Sequence, residues 1–397
     1  MRELHTDTCC KVRHDGVTTD SFEVKTGVRQ GCVLAPILFN IFIDHVMRKA
    51  SARLPHAGCS FKYRVGDDWY TYDDMDDEMR VWCLMYADDI ALLSESQEQL
   101  QNMIHVLYQA FSDHGLCINV DKTKVMCQPA CGSNASPQMS IQVGGREVEQ
   151  VQLFRYLGGY VQEGMAHGWD VHARIGQCRA TFESLRKNVW SRVEISIKTK
   201  LRIYNCLIIS CLLYGAEVWE LTAYQLQRLE AFHVGCLRRI LRVPYVQHRT
   251  NASVRTECKS PCVFALIRQR RMAWLGRLAR MREDRLPLQL IHAACPGATH
   301  SHARRRWDKH MQFDLRSAAQ VCSSFAEDRW RQTAADTQAW TDELKKVLAT
   351  SSNFVTDIER RRAARNGGDD DVSFRCELCN VCFLQEKDLN AHLACKH

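Results

Sequence analysis

The sequence runs to 397 residues, 46% of them hydrophobic, enough for two or three domains with cores of their own, and it carries a net charge of +7. No apolar run approaches the roughly 18 residues of a membrane-spanning helix, so no membrane association is expected. The twenty cysteines accompany a first ten residues that carry charges where a secretory leader would be apolar, which points to reduced thiols in the nucleus and/or cytoplasm.

In chain order, residues 1 to about 160 read as mixed α/β. Cys9 to Val24 alternates on either side of His14-Asp15-Gly16, the pattern of a tight hairpin. A glycine-bearing loop, Thr26 to Gly31, leads to Pro36 and a helix with Ile37, Leu38, Ile41, Phe42 and Val46 on one face. An acidic insert from Gly66 to Glu78 precedes a second hairpin, Val81–Tyr86 and Ile90–Leu93, joined through Ala87-Asp88-Asp89. A helix is expected from Gln97 to His114, with Leu100, Ile104, Leu107, Tyr108 and Phe111 at helical spacing, stopped by Gly115 and followed by a strand over Ile118–Met126.

Residues 128–150 read as a loop with a small hairpin. From 168 to 350 the apolar spacing is helical, at Ile203, Leu207, Ile208, Cys211 and Leu212 and again from Leu226 to Ile240, with breaks at Pro244, Pro261 and Pro287. Residues 351–373 have linker composition, and 374–397 stand as a separate unit. Charge is uneven along the chain: Arg249–Lys309 holds 14 Lys and Arg against 4 Asp and Glu, a local net of +10. That is the footprint of a nucleic-acid partner or, equally, of a solvated basic surface.

Asp88 and Asp89 are the strongest catalytic signal. Adjacent carboxylates at the bend of an apolar hairpin are costly without a cation, and a divalent metal would answer that cost. Taken alone, an Asp-Asp pair is more often a turn.

The neighbouring blocks change that balance. Arg29-Gln30-Gly31-Cys32-Val33-Leu34-Ala35-Pro36 with Leu38-Phe39-Asn40 resembles the second conserved block of reverse transcriptases of non-LTR (LINE-type) retrotransposons. Tyr86-Ala87-Asp88-Asp89 resembles their third, and Gly115–Asn119 with Lys122-Thr123-Lys124 their fourth. Phe154-Arg155-Tyr156-Leu157-Gly158-Gly159 is similar to their primer-grip block. Leu213–Trp219 and Arg270–Arg277 resemble segments that come after the polymerase in such elements.

The resemblance implies an α/β palm, Mg²⁺ held by Asp88 and Asp89, and nucleotidyl transfer from dNTP to a primer 3′-hydroxyl on an RNA template. It implies that Gln30 and Gly31 line the nucleotide and template path, that Lys122 lies near the triphosphate, and that Leu157, Gly158 and Gly159 touch the primer end. Element RNA and target DNA would be the partners, with no obligate protein partner evident. The family's first metal-binding aspartate ends an apolar strand before the second block. Only Asp7, Asp15 and Asp20 precede Arg29, and none ends such a strand. The expectation is therefore a truncated polymerase short of one carboxylate, the alternative being a catalytically inactive nucleic-acid-binding remnant. The acidic cluster Asp73, Asp74, Asp76 and Asp77 reads as an exposed loop and no substitute.

At the end of the chain, Cys376, Cys379, His392 and His397 have C-x₂-C-x₁₂-H-x₄-H spacing. With Phe374, Phe383 and Leu389 as a small core, they resemble a ββα zinc finger holding structural Zn²⁺. In the basic stretch, Arg270, Arg271 and Arg277 beside Trp274, and Arg304, Arg305 and Arg306 before Trp307, suit phosphate contact with base stacking. The competing reading makes Trp274, Leu275 and Leu278 the buried face of an ordinary helix. The expected architecture is thus a reverse-transcriptase palm remnant over 1–160, a helical thumb and connection region over 168–350, a linker, and a C₂H₂ finger.

Overall fold

The computed structural model describes residues 9–24, 27–28, 31–63, 77–128, 137–163, 168–291, 293–294, 306–326, 329–347, 374–375 and 382–383. Cα packing groups the chain into two compact units, Met1–Asp170 with Met281–Asp308, and Val171–Arg280 with Lys309–His397.

Turn chemistry organises the start of the first unit. Asp15 (φ 47°) and Gly16 (φ 83°) take the left-handed pair that a two-residue hairpin turn demands. They join Arg13–His14 to Val17–Thr18, and Cys9–Cys10 pairs with Phe22–Glu23 outside them. Helix α1 (Ala35–Ser51) carries Pro36 in its first turn, where no N–H is needed. Its expected inward face is only partly right. Ile37 and Ile41 are 57% and 64% exposed, while Ile43, Val46, Met47 and Ala50 are buried. The helix has apolar residues on more than one stripe, and the buried stripe is the one that meets Met103, Val106, Leu107, Ala110 and Phe111 of α2 (Gln97–Ser112).

β1 (Cys59–Tyr63) and β2 (Asp77–Val81) pair antiparallel over five residues. β3 (Cys83–Tyr86) and β4 (Asp89–Leu92) form the second hairpin, with Cys83, Ile90 and Leu92 against the α1–α2 core. Ser96 caps α2 by accepting from the Gln99 amide at 3.2 Å. On the far side of α2, Ile104 packs with Val125, Ile141, Val143 and Val148.

The strand expected over Ile118–Met126 shrinks to Lys124–Val125. Asn119 accounts for this: its Oδ1 accepts from the Lys122 amide at 3.2 Å and its carbonyl from Thr123 Oγ1 at 2.8 Å, curling the chain before it can pair. β5 (Leu153–Tyr156) and β6 (Gly159–Gln162) make a third hairpin. The Tyr160 amide donates to Asp170 Oδ1 near the start of α3 (Gly168–Ser184).

From Val171 the second unit is helical. α3 passes into a π turn at Arg186–Trp190, where Trp190 stacks on Phe182 at 4.7 Å and donates from Nε1 to the Phe182 carbonyl at 2.7 Å. α4 (Ile197–Tyr204) runs through a second π turn, Asn205–Ile209, into Ser210–Leu212. That turn corrects the expected face. A π turn takes an extra residue and so rotates the helix face, leaving Leu207 46% exposed while Tyr204, Ile208, Leu212 and Leu213 are buried.

α5 (Ala223–Leu241) opens with a reciprocal capping box between Thr222 and Gln225. α6 (Asn251–Cys258) and α7 (Val263–Ala279) come next, separated around Pro261 as the sequence suggests. Pro287 acts otherwise, as the second residue of α8 (Leu286–Ile291), because proline suits a first helical turn as readily as it ends one. α8 and the strand after it, β7 (Ala293–Ala294), belong to the first unit, where β7 pairs with Lys62 and Tyr63 of β1.

The second unit resumes at Lys309 within α9 (Arg306–Ala319) and continues through α10 (Trp330–Ala335) and a helix over 337–347. Trp340 is buried against Phe325 at 5.0 Å and donates from Nε1 to the Met272 carbonyl of α7 at 3.0 Å. At the C-terminus the described residues are Phe374–Arg375 and Cys382–Phe383, paired antiparallel with Phe374 opposite Phe383. Among the described residues no helix is long and apolar enough to cross a membrane.

Candidate functional site

The β3–β4 hairpin closes on a two-residue turn, Ala87-Asp88, with Tyr86 opposite Asp89. Ala87 sits at φ 54°, in the left-handed region where glycine is usual, so the turn is held at a local cost of about 1 kcal/mol. Strain of this kind persists where packing over-determines it. Here the arms do so: Cys83, Ile90 and Leu92 are anchored in the core while the tip projects, leaving Asp88 and Asp89 exposed.

The β5–β6 hairpin also closes on a two-residue turn. Its turn is Leu157-Gly158, at φ 47° and 81°, the pair of positive angles of a type I′ turn. Gly158 takes that angle freely; Leu157 takes it at a cost and is partly exposed at the tip.

Tyr156 ends the first arm of the β5–β6 hairpin. Its hydroxyl is held above its ordinary pKa first by burial, then by the negative charge of Asp89 and by Cys83. Burial likewise pushes the Cys83 thiol up to about 11, keeping it neutral. The Leu157–Gly159 turn thus begins one residue from a phenol that senses the Asp89 carboxylate. Tyr156 lies within the segment that resembles a primer grip, and no local pattern in the sequence marks it out.

The other expected residues of the first unit stand on separate turns. Gly31 is exposed at φ 87°, with open space where a Cβ would stand, just before the first turn of α1. Gln30 lies outside the described residues. Lys122 is exposed on the Asn119 turn. Gly31 and Lys122 therefore share the first unit with the aspartates, each on its own turn.

The arginines divide. Arg277 is exposed. Arg270 is half-buried and donates to the Leu213 carbonyl at 3.0 Å. Arg271 is buried, with Nε donating to Asp314 Oδ2 at 2.8 Å, while Arg268 donates to the Asp314 carbonyl at 2.7 Å. The Arg271 guanidinium is spent inside the helical core, which corrects the expectation of Arg271 as a phosphate contact. Arg304 and Arg305 lie outside the described residues; Arg306 begins α9, but its side chain lies outside them. Asp314, which sequence spacing gave no reason to select, is buried between two cations.

Cys376, Cys379, His392 and His397 also lie outside the described residues, as do Asp73, Asp74 and Asp76. Among the described residues no three His, Cys, Asp or Glu side chains come together as a metal cluster. Asp88 and Asp89 offer a pair of hard oxygen donors at an exposed tip. That fits Mg²⁺, which commonly takes one or two protein carboxylates and completes its shell with water and phosphate.

Residues 2–161 match the family model described as reverse transcriptase (RNA-dependent DNA polymerase). The chain is 26% identical over 212 residues to a transposon-derived protein of Caenorhabditis elegans, covering 51% of this chain and 73% of that protein. It is 22% identical over 308 residues to the RNA-directed DNA polymerase from mobile element jockey of Drosophila funebris, covering 77% of this chain and 31% of that one. Against the retrovirus-related Pol polyprotein from type-1 retrotransposable element R2 of Popillia japonica it is 24% identical over 158 residues, 38% of this chain and 23% of that polyprotein. The chain thus spans most of the worm relative and a third or less of the other two.

Proposed function

We propose that this chain, which carries a reverse transcriptase domain over residues 2–161, is the polymerase portion of a non-LTR retrotransposon protein, acting on element RNA and target DNA. The observation that carries the reading is that one compact unit holds Asp88-Asp89 at one hairpin tip and Leu157-Gly158-Gly159 at another.

In the proposed reaction the primer 3′-hydroxyl oxygen bonds to the α-phosphorus of a dNTP. The bond from that phosphorus to the bridging oxygen breaks, pyrophosphate leaves, and the hydroxyl proton passes to solvent. Reverse transcriptases normally use a divalent metal such as Mg²⁺, which when bound supplies charge stabilisation for the entering and leaving oxygens. Asp88 and Asp89 would hold it. Leu157, Gly158 and Gly159 position the primer end. Gln30 and Gly31 line the nucleotide path, where the absence of a side chain at Gly31 lets backbone approach closely, and Lys122 faces the triphosphate.

A second reading is a catalytically inactive nucleic-acid-binding remnant, suggested by the sequence, in which none of Asp7, Asp15 and Asp20 ends an apolar strand before Arg29. Primer extension on poly(rA)–oligo(dT) with Mg²⁺ separates the two. Under the polymerase reading, extension is expected from the chain and is expected to disappear in the Asp88→Ala, Asp89→Ala double variant. If neither protein extends while both are folded and bind the template–primer, the remnant reading holds.

We assign 374–397 as a C₂H₂ finger in which Cys376, Cys379, His392 and His397 hold one Zn²⁺ tetrahedrally. The C-x₂-C-x₁₂-H-x₄-H spacing supports it, and so does the pairing of Phe374–Arg375 with Cys382–Phe383, a short hairpin around the first two ligands. The expected metal content, by elemental analysis of the dialysed chain, is about one zinc per chain, falling to near zero in Cys376→Ser. An unchanged zinc content in Cys376→Ser would refute the ligand set.

A further inference from the structure

Two thiols of the helical unit lie against each other. Cys178 of α3 is buried, and its Sγ donates to the Ile208 carbonyl in the π turn Asn205–Ile209 at 3.6 Å. One turn earlier on α3, Arg174 Nη1 donates to the Cys211 carbonyl at 3.3 Å. Residues 174–178 therefore run alongside 208–211, and the Cys178 and Cys211 thiols share a hydrogen bond between the two helical segments. Cys236 is also near, but its thiol is bonded to the Tyr204 phenol.

The pair is asymmetric. Cys211 is half-buried and packs on the edge of the core, while Cys178 is wholly inside it. Burial, then Cys211 and then Cys236, hold the Cys178 thiol above its ordinary pKa, with the Arg174 guanidinium acting the other way. A buried, protonated thiol is a poor target for an oxidant arriving from solvent, and a half-exposed one beside it is the better target. The two residues thus divide the labour as a sensing cysteine and a resolving cysteine do.

We propose that Cys178 and Cys211 form a peroxide-responsive dithiol, which closes to a disulfide between α3 and the helical run after the π turn. In the first step the Cys211 sulfur attacks one oxygen of hydrogen peroxide. The S–O bond forms, the O–O bond breaks, and water leaves with the thiol proton, so that sulfur is oxidised to a sulfenic acid and the peroxide is reduced. In the second step the Cys178 sulfur attacks the Cys211 sulfur. The S–S bond forms, the S–O bond breaks, and a second water leaves with the Cys178 proton. Two thiols and one peroxide give one disulfide and two waters. Contact between the thiols makes this step intramolecular, which offsets the weak nucleophilicity of a buried thiol. Closure also keeps Cys211 on the reversible part of the oxidation series, because thiols reduce a disulfide but not a sulfinic acid. Bridges of this kind in reducing compartments are transient and redox-sensing rather than structural.

The test is mass spectrometry of the full chain, reduced, desalted and treated with hydrogen peroxide, then alkylated in urea and digested with trypsin without reductant. The exposed Cys206 shares a tryptic peptide with Cys211, so Cys206→Ser serves as the parent. The expected product joins the peptide Ile175–Arg179 to Ile203–Arg228, and dithiothreitol separates them. Cys211→Ser is expected to abolish the linked species. In Cys178→Ser, checked for retained helicity by circular dichroism, Cys211 is expected to remain a sulfenic acid that dimedone traps, with an adduct yield at least about tenfold above the parent's.

The proposal is overturned if Cys178 and Cys211 are both recovered as alkylated thiols from the folded, peroxide-treated parent. A link from Cys178 to Cys236 in place of Cys211 overturns it too, as does a Cys178–Cys211 link that forms equally well when the peroxide is added in urea, since the fold then contributes nothing. None of these results depends on primer extension or on the zinc content of the chain, so this proposal fails separately from those.

Discussion

Replacing Asp314 with alanine is expected to destabilise the helical unit by about 3–5 kcal/mol, the cost of leaving buried charge without its partner. Arg268 and Arg271 are each about 5% exposed and converge on a residue with no exposure at all. With the carboxylate gone, the Arg271 Nε loses its 2.8 Å acceptor in a site that water does not reach. Asp314→Asn should cost less than alanine, because its amide oxygen can still accept from Arg271 Nε, but it too leaves both buried guanidinium groups without their counter-charge.

The titration of Asp314 provides a second readout. Burial pushes its carboxyl up to about 6, against the pull of Arg271 and then Arg268. A carboxyl whose folded pKa exceeds its unfolded value binds more protons when folded. The wild type therefore gains stability relative to Asp314→Asn as pH falls through about 6 toward 4. His233, buried between Tyr204 and Ser260 and lowered to about 4 chiefly by burial, loses stability over much of the same range. That loss is common to every variant, so the difference between them isolates Asp314. Urea midpoints followed by tryptophan fluorescence at several pH values would measure it. An alanine variant as stable as the wild type would show that the ion triad is not a structural tie.

The chain yields its local features readily from sequence and its long-range ones poorly. Asp15-Gly16, Ala87-Asp88 and Leu157-Gly158 lie between alternating segments, and a two-residue turn is specified within about six residues of chain. The Asp88-Asp89 tip is legible for that reason, whereas the Leu157-Gly158 turn is singled out in the sequence only by its resemblance to a primer grip. The inward face of α1 is not, because several of its stripes are apolar and only the position of α2 selects among them. The π turn Asn205–Ile209 defeats periodicity more directly: a count at 3.6 residues per turn sends Leu207 inward, and the extra residue turns it out.

Arginine is the harder lesson. A run such as Arg268, Arg270 and Arg271 reads as a cationic surface, yet its partner Asp314 lies more than forty residues away and no local pattern announces it. The same long-range packing determines why Tyr156 matters, since its phenol acquires its environment from Asp89 and Cys83 on another hairpin. Residues 281–308, helical or basic by composition, return to the first unit through one short strand, Ala293–Ala294, that no alternation in the sequence marks.

The segment Met272-Ala273-Trp274-Leu275-Gly276 yields the second large expected effect, through a glycine whose role is packing. Trp340→Ala is expected to cost about 3–5 kcal/mol, the usual range for removing a buried tryptophan. Gly276→Ala is expected to cost about 1–3 kcal/mol, by overpacking. In an exposed helix interior the glycine substitution would stabilise by roughly 1 kcal/mol, because alanine is the better helix former. Here a Cβ on Gly276 would fall 2.3 Å from Trp340 Nε1 and 2.6 Å from its Cδ1. The indole cannot simply swing aside, since Nε1 is bonded to the Met272 carbonyl and the ring lies edge-on to Phe325.

The sign of the glycine effect is therefore decided by Trp340, which a double-mutant cycle tests directly. In a Trp340→Ala background the clash is gone, and Gly276→Ala should become neutral or stabilising, leaving a coupling of at least about 1 kcal/mol between the two sites. Additive losses would mean that Gly276 answers to some other constraint. Coupling would establish that this part of α7, which in sequence looks like an arginine-and-tryptophan surface for nucleic acid, holds the helix over 337–347 in place. The phosphate-binding role then falls to other arginines, those whose guanidinium groups the fold leaves in solvent.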